Sequence, residues 1–297
     1  FQVYIKHYKA LFVIIVAIVT YSFIQPDDYD TSPGILKNKR VLITGASQNI
    51  GEELATQYAQ SGAKIVITAR REDKLKEVAA KCRKAGATSV DYIVADMADI
   101  EQVKNVVKDA VALLGGLDQL VLNHVTGLNH PGMWNNSQFN LDYAQNSAIV
   151  NYVSYIHLST HAIPHLTESN GNLIVVSSLA GHVPTINTAI YGATKASLNH
   201  FYASLRLEMM ASERDPYSIT ICMMGPIETD RSRWSKFPDK VNMKGNPIDD
   251  TAAQIIKAGT TRRSYLFIPW WTKYASAVKA IPSQLVDRMF LKIFYNK

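Results

Sequence analysis

The chain contains little cysteine and no concentrated positive charge. Cys82 and Cys222 are the only two cysteines among 297 residues, too few for a disulfide framework or, by themselves, a metal site. We therefore expect two buried free thiols. The net charge is a modest +6 and the lysines and arginines are dispersed. The sequence thus excludes proteins that bind nucleic acid through a polybasic tract.

The histidines also lack the spacing of a metal site. His124, His130 and His182 are irregularly spaced and have no acidic residue beside them. Zinc sites, in contrast, combine closely spaced ligands in recurring patterns. We predict no metal site, and expect these histidines to lie at the surface or to line a pocket.

Apolar residues are plentiful, at 47% of the chain, which is enough for the core of one large domain. From residue 38 onward, strand-like apolar runs alternate with helical patterns. The predicted strands are Arg40–Thr44, Lys64–Thr68, Ser89–Val94, Leu117–His124 including its exit, Asn172–Val176, Ser218–Met223 and Tyr265–Ile268. This alternation predicts an α/β fold, a single Rossmann-type, doubly wound parallel sheet with its ligand crevice at the carboxyl ends of the strands.

Three segments between the strands bear on the function. Leu141–Leu166 has a long helical pattern, and we expect a break near Pro164 because proline removes a helical hydrogen bond. Tyr191–Met210 is predicted to be the next helix. The segment Thr229–Pro247 is expected to form a lid over a substrate.

Tyr191 and Lys195 are four positions apart at the start of a predicted helix, which places them on one face. A neighbouring ammonium stabilises a phenolate, so we expect Lys195 to lower the pKa of Tyr191 from its reference of about 10. Tyr191 then becomes a usable general acid or base, and Ser178 can bond the oxygen whose proton Tyr191 moves. The pattern alone is common by chance, and an exposed pair on a helix surface is the alternative.

A second motif lies far upstream, where the apolar strand ending at Thr44 runs into a glycine-containing turn and a helix start. Backbone N–H groups at such a helix N-terminus bind anions, as a dinucleotide pyrophosphate requires. The residues predicted to contact the cofactor here are Gly45, Ser47, Gln48, Asn49, Ile50 and Gly51. Together the two motifs predict a dinucleotide-dependent reaction centre.

These motifs resemble the short-chain dehydrogenase/reductase family, whose turn reads TGxxxGxG and whose active site combines Asn, Ser, Tyr and Lys. The resemblance covers nearly all of residues 38–270. It implies that Tyr191 is the catalytic acid/base, that Lys195 is its partner and a ribose ligand, and that Ser178 bonds the substrate oxygen. It also implies that Asn151 holds a water for proton relay.

One glycine of the family's turn is replaced by Asn49 in this chain. Asparagine tolerates left-handed backbone better than other non-glycine residues, so we expect the turn to persist. The resemblance assigns further cofactor contacts to Asp96, Met97, Asn123, Ile227 and Thr229. An ordinary helix N-cap is the alternative for Asp96.

Two arginines, Arg70 and Arg71, follow the second predicted strand. An acidic residue at this place binds the adenosine ribose hydroxyl of NAD, whereas a basic residue suits the 2′-phosphate of NADP. The pair therefore predicts NADP(H) as the cofactor. Two solvated arginines at a helix start are the alternative.

Within the family, the segments Leu122-Asn123-His124 and Val175–Gly181 resemble the 11-beta-hydroxysteroid dehydrogenase type 1 group. That group consists of membrane-anchored enzymes of the endoplasmic reticulum. The resemblance implies an apolar substrate, a steroid ketone or alcohol, and a homodimer. Retinoid, lipid or xenobiotic carbonyl substrates are one alternative, and a non-catalytic lipid-surface protein that kept the fold is another.

The amino terminus differs in kind from the rest of the chain. Val3–Ile24 is largely apolar and reaches membrane-spanning length if its lysines extend to the interface. A cleaved signal peptide is the alternative, but no small-x-small cleavage site is evident. We therefore expect an uncleaved anchor at residues 1–25 and a linker at 26–37, followed by the catalytic domain at 38–269.

Charges flanking the apolar run set its predicted orientation. Lys6 and Lys9 interrupt its start, whereas Asp27, Asp28 and Asp30 follow its end. By the positive-inside rule the amino terminus is cytoplasmic and the catalytic domain is luminal. A luminal domain would make the one glycosylation sequon, at Asn135, available for modification.

The carboxyl-terminal segment, residues 270–297, mixes aromatic residues with lysine and arginine. Tryptophan and tyrosine accompanied by lysine favour a membrane interface. Packing of this amphipathic segment on the catalytic domain or on a partner subunit is equally compatible with the pattern.

Overall fold

The computed structural model describes residues 34–127, 134, 137–185, 187–212, 216–228, 245–274 and 283–295. They belong to the larger of two compact units, Thr31–Lys297. The predicted anchor, the sequon at Asn135, Thr229 and most of the predicted lid lie outside the described residues. Within the described ranges, no helix is both long and apolar enough to cross a bilayer.

Seven parallel strands form one sheet, as the sequence predicts. They are β1 (Arg40–Thr44), β2 (Lys64–Ala69), β3 (Ser89–Val94), β4 (Gln119–Leu122), β5 (Asn172–Ser178), β6 (Ser218–Met224) and β7 (Tyr265–Ile268). Their order across the sheet is β3-β2-β1-β4-β5-β6-β7. The chain builds outward from β1 to β3 and then returns to β4 on the other side of β1. The switch point, where a doubly wound sheet binds its ligand, thus lies between β1 and β4.

Eight helices connect or follow these strands in the described ranges. They are α1 (Asn49–Gln60), α2 (Glu72–Ala85), α3 (Ile100–Leu114), α4 (Gln138–Ala148), α5 (Ser154–Glu168), α6 (Ala189–Ala211), α7 (Ile248–Thr260) and α8 (Ser283–Tyr295). A π-helix, Ile149–Val153, joins α4 to α5, and a 3-10 turn, Leu179–Gly181, follows β5.

Successive side chains along each strand point to opposite faces of the sheet and pack into two separate hydrophobic cores. In β1, Val41 and Ile43 pack on one side with α1, α2 and α7, whereas Leu42 packs on the other side with α3, α5 and α6. All three side chains are fully buried. Because both faces of the sheet are covered, the strands read as continuous apolar runs, as expected of a buried parallel sheet. Cys82 and Cys222 are free and buried in one of these cores, as predicted.

The long helical segment departs from the prediction. Pro164 lies inside α5 without ending it, so the break expected there is wrong. Pro164 and Thr160 are both exposed, and water can therefore bond the carbonyl that the proline leaves without its helical donor. The irregularity occurs instead at the π-helix, which contains Asn151. Single π-turns within helices frequently mark functional sites.

Candidate active site

The turn after β1 is built by close backbone packing against the end of β4. Gly45 has a φ of +66°, and a Cβ on it would lie 2.7 Å from the Cα of His124. A Cβ on Gly51 would lie 2.3 Å from the Gly45 carbonyl oxygen. Asn49 has a φ of 51°, so the left-handed backbone expected of this asparagine is observed. The turn thus persists without the family's middle glycine.

The amino terminus of α1 opens onto the same edge of the sheet. Its N-cap residue, Gln48, gives no side-chain capping bond to the backbone N–H groups of the first turn. Asn123 supports the turn from β4, because its amide donates to the carbonyl oxygens of Thr44 and Gly45 at 3.3 Å each. A helix N-terminus without a side-chain cap, beside a turn held this closely, fits a pyrophosphate group.

The two predicted phosphate-binding arginines have different surroundings. The Arg71 guanidinium donates to Ser47 Oγ at 3.0 Å and to Gln48 Oε1 at 2.9 Å. Arg70 is exposed and its guanidinium lies 3.9 Å from an Asp96 carboxylate oxygen. A pocket of about 410 Å³ adjoins the turn, and its lining comprises Ser47, Gln48, Glu52, Arg71, Lys74, Glu77, Val78 and Lys81. Arg71 therefore already contacts the turn, whereas Arg70 is directed to Asp96.

Three further residues predicted to bind the cofactor lie at the exits of β3 and β6. Asp96 follows β3 and bonds the backbone N–H of Ala98, while the N-cap of α3 is Asp99. The side chain of Met97 is 5% exposed and packs in a core, which leaves its backbone for a ligand contact. Ile227 is also buried, at the exit of β6, where it forms a bridge with Asn246.

Ser178, the last residue of β5, lies next to Tyr191 at the start of α6. Ser178 is close enough to the Tyr191 hydroxyl to favour its ionised form, which opposes the rise in the pKa of Tyr191 that burial causes. Ser178 Oγ also accepts from the Ala180 N–H at 3.1 Å and donates to the Met224 carbonyl at 3.3 Å. The structure therefore brings together the two groups predicted to hold and protonate a substrate oxygen.

Lys195 is buried, with 2% of its surface exposed. Its Nζ donates to the Val176 carbonyl oxygen at 2.9 Å and lies 5.9 Å from the centre of the Tyr191 ring. Burial lowers the pKa of Lys195 to about 7. The lysine thus titrates near neutral pH in the ligand-free chain.

The expected effect of Lys195 on Tyr191 is wrong for the ligand-free chain. Burial raises the pKa of Tyr191, and the nearby Ser178 only partly opposes this shift. The reason is that removing a phenolate from water costs more than a lysine can return when that lysine is itself desolvated and only partly charged at neutral pH. Helical spacing correctly placed the two groups, but it carried no information about their burial.

Asn151 is fully buried in the π-helix. Its Oδ1 accepts from the Thr126 N–H at 2.8 Å, and its Nδ2 donates to the Thr126 carbonyl at 2.9 Å and to Thr194 Oγ1 at 3.3 Å. Both amide hydrogens are therefore in use. The side chain links the exit of β4 to the helix that carries Tyr191 and Lys195.

The two threonines that Asn151 contacts were missed by the sequence reasoning. Thr194 lies inside the Tyr191 to Lys195 pattern, and its polar side chain at helical spacing was an available signal. Thr126 is separated from Asn151 by 25 positions. Because its contact uses only backbone atoms, no side-chain pattern could have revealed it.

His124 is buried, contrary to the expectation of a surface or pocket-lining residue. Its ring nitrogens lie 2.8 Å from Thr44 Oγ1 and 2.8 Å from Ser154 Oγ. Burial lowers its pKa to about 3, so the ring is neutral at physiological pH. In the described part of the chain, no group of three or more histidine, cysteine, aspartate or glutamate side chains could hold a metal ion.

Comparison with known proteins places these residues in a family context. A family model described as short chain dehydrogenase matches residues 39–238. Similar curated proteins include the hydroxysteroid 11-beta-dehydrogenase 1-like proteins of Xenopus tropicalis and Danio rerio. The first is 43% identical over 262 residues, covering 88% of both chains. The second is 43% identical over 88% of this chain and 89% of its own.

Solved structures share the fold. A short chain dehydrogenase from Burkholderia cenocepacia in complex with NADP has a TM-score of 0.66 and 27% identity, covering 78% of this chain and 96% of its own. A short-chain dehydrogenase/reductase from Caenorhabditis elegans, solved with its cofactor, has a TM-score of 0.69. Its 22% identity, over 78% of this chain and 95% of its own, supports a common fold.

The lowered pKa of Lys195 predicts a pH dependence of stability. An unfolded lysine titrates near pH 10.4, so between about pH 7 and pH 10 the unfolded state binds a proton that the folded state lacks. The free energy of unfolding should therefore rise with pH in this window, by up to about 1.4 kcal/mol per pH unit. Lys195→Met should lack this increment.

The measurement is urea unfolding of both chains at several pH values, because the difference between them cancels the contributions of other groups. Lys195→Met should have its largest relative advantage at or below pH 7. A difference that stays constant from pH 6 to pH 10 would contradict the assignment of a depressed pKa to Lys195.

Proposed function

The chain belongs to the short-chain dehydrogenase/reductase family of oxidoreductases, and we propose that it interconverts a ketone and a secondary alcohol with NADP(H). The observation that carries the proposal is that Tyr191 lies beside Ser178 and the buried Lys195 at the carboxyl end of β5. A non-catalytic protein that kept the fold has no need of a buried lysine beside a tyrosine, because burying an ammonium is costly.

The residues of the turn are suited to hold the dinucleotide. Gly45 and Gly51 allow the close packing that exposes the α1 N-terminus, and Asn49 supplies the left-handed backbone. Arg71 and Arg70 offer positive charge for a 2′-phosphate beside Ser47. When bound, the nicotinamide supplies or accepts a hydride at the substrate carbon.

The chain's own residues handle the substrate oxygen and its proton. In the direction of reduction, Tyr191 donates its proton to the oxygen while Ser178 bonds that oxygen. Lys195 in its charged form favours the tyrosinate that results, so proton loss from Tyr191 becomes easier. Asn151 connects this helix to the β4 exit and, by family resemblance, holds the water that returns the proton.

For the substrate we propose an apolar carbonyl compound, with a steroid as the first candidate. This rests on the similarity to curated proteins named hydroxysteroid 11-beta-dehydrogenase 1-like. Retinoid, lipid or xenobiotic carbonyl compounds are the alternative substrates. The same active-site residues would act on either class, since the lining of an apolar pocket selects the substrate.

We also propose that the chain is anchored in the endoplasmic reticulum membrane by residues 1–25, with the catalytic domain in the lumen and Asn135 available for glycosylation. The charge asymmetry around the apolar run supports this orientation. The exposed side chains of Trp270, Trp271 and Tyr274 support a contact role for the carboxyl-terminal segment. Lys273 lies 5.0 Å from the centre of the Tyr274 ring. The segment contacts either the membrane or the second subunit of a homodimer.

The reaction predicts a large effect of removing one hydroxyl. Tyr191→Phe should lower the rate of carbonyl reduction by about 10²–10⁴-fold, the usual contribution of general acid catalysis, while NADPH binding is retained. The measurement is NADPH oxidation by the detergent-solubilised chain with an 11-keto steroid, retinal and a simple aromatic ketone. Tyr265→Phe, an exposed tyrosine on β7, is the matched control and should stay active.

Turnover of the steroid that is lost in Tyr191→Phe would support the steroid assignment. Turnover of only the other carbonyl compounds would move the assignment to the broader substrate class. Equal activity of Tyr191→Phe and the parent, or NADPH binding without turnover of any compound in a wide panel, would overturn the catalytic proposal.

The two arginines predict the cofactor preference. Charged hydrogen bonds to a 2′-phosphate should make NADPH bind more tightly than NADH by about 1–3 kcal/mol. The double substitution Arg70→Ala and Arg71→Ala should remove most of this preference, whereas Lys108→Ala, which removes an exposed cation from α3, should preserve it. Fluorescence titration with both cofactors checks this, and equal affinity in the parent chain would rule out the assignment.

The proposed topology predicts protection from protease. Sealed microsomes should shield residues 31–297 from added protease, and Asn135→Gln should remove any glycan-dependent shift in mobility. Complete digestion of the domain in sealed vesicles would refute a luminal location. Release of the intact chain by aqueous buffer without detergent would refute the anchor.

A further inference from the structure

Tyr155 is a buried residue of α5, one helical turn after Asn151, to which the reaction described above assigns no role. It is fully buried, and the Lys195 ammonium lies over its ring at 5.5 Å from the centre. The same ammonium lies 5.9 Å from the centre of the Tyr191 ring. Lys195 therefore contacts two aromatic rings, one catalytic and one not yet assigned.

Apart from the two rings, few groups stabilise the charged form of Lys195. Its Nζ donates to the Val176 carbonyl oxygen, and within the described part of the chain no carboxylate contributes to its pKa. The titratable groups that face it are Tyr191 on its own helix, Tyr155 on α5 and His124 after β4. Because His124 is neutral, the ring faces are the main electrostatic partners left to a desolvated ammonium.

The Tyr155 ring is itself held in a fixed orientation. Its hydroxyl donates to the His124 carbonyl oxygen at 2.6 Å, and the two rings are tilted by 44° with centres 4.3 Å apart. The Tyr155 carbonyl accepts a bond from the Tyr202 hydroxyl at 3.1 Å. Both ends of this residue are thus bonded.

His124 connects Tyr155 to the strand that carries the glycine turn. Ser154 Oγ donates to the Val150 carbonyl at 2.7 Å, so it accepts from the Nε2–H of His124. The Thr44 hydroxyl, at the end of β1, lies 2.8 Å from His124 Nδ1 and 3.2 Å from the Val121 carbonyl oxygen, and this assignment gives its one proton to the nearer Nδ1. This assignment gives the neutral Nε2–H tautomer, in which each ring nitrogen has a suitable partner.

We propose that Tyr155 is a positioning residue that keeps the Lys195 ammonium in place and charged next to Tyr191. The cation is attracted to the negative face of a ring that His124 and Tyr202 hold still. The inference rests on the proposed function for its effect on rate, but its effect on the titration of Lys195 is independent of catalysis.

The test changes the electron density on the face of the Tyr155 ring while keeping the shape of the ring nearly the same. Tyr155→Phe serves as the reference, because it keeps the ring and lacks only the hydroxyl. Tyr155→pentafluorophenylalanine has nearly the same shape, but fluorine withdraws the electron density that attracts a cation. Tyr202→Phe and Tyr202→pentafluorophenylalanine form the control pair, since Tyr202 bonds Tyr155 but does not lie over Lys195.

The first readout is the free energy of unfolding of the ligand-free chain, measured against pH. In the fluorinated Tyr155 variant, the pH window in which the free energy of unfolding rises should begin about one pH unit lower than in Tyr155→Phe, because the ammonium loses a partner. The second readout is the rate of carbonyl reduction against pH. Its decline at high pH should move downward by a similar amount, while the Tyr202 pair should show no shift in either measurement.

Identical pH dependence of stability in Tyr155→Phe and the fluorinated variant would overturn the inference. A shift of equal size in the Tyr202 pair would also overturn it, because the effect would then be a general response to fluorination. Failure of the proposed function is distinguishable: Tyr191→Phe would then be as active as the parent, whereas the stability readout needs no turnover.

Discussion

The burial of the Lys195 ammonium is the constraint on which the candidate site depends. A charged group 2% exposed to solvent is stable only where fixed dipoles or aromatic faces replace the lost water. The Val176 carbonyl and the rings of Tyr155 and Tyr191 occupy those positions. Each comes from a different element of the fold or a different turn of α6, so the sheet and both helices must be assembled before the lysine has its surroundings.

Desolvation also sets the protonation of Tyr191 and Lys195. It raises the pKa of Tyr191 and lowers that of Lys195 to about 7, so in the ligand-free chain a neutral tyrosine faces a lysine that is only partly charged at neutral pH. In the proposed reaction a proton on Tyr191 is what the reduction direction requires, and the raised pKa keeps that proton in place. In the same proposal a charged Lys195 eases the transfer of that proton, so every group that stabilises the ammonium would influence the rate.

Local patterns predicted the parts of the structure that depend on neighbours in sequence. The strands, the glycine turn and the left-handed Asn49 follow from apolar periodicity and backbone sterics, and these are confirmed. The π-helix at Asn151, the neutral His124 and the direction of the Tyr191 shift could not be predicted in this way. Each depends on which groups become buried together, and sequence spacing carries no measure of desolvation. Thr229 and the anchor lie outside the described residues and remain predictions.

Hydrogen bonds around Asn151 link the residues of the candidate site into one network. The Asn151 amide holds Thr126 and Thr194, Thr194 also donates to the Tyr191 carbonyl at 2.8 Å, and the next turn of the helix supplies Ser154 and Tyr155 to His124. Removing one member leaves a buried partner unbonded and allows the others to move. The losses caused by single substitutions should therefore overlap and fail to add, as is typical of groups that act as one unit. Asn151 consequently has a structural task in this chain in addition to any water that it binds.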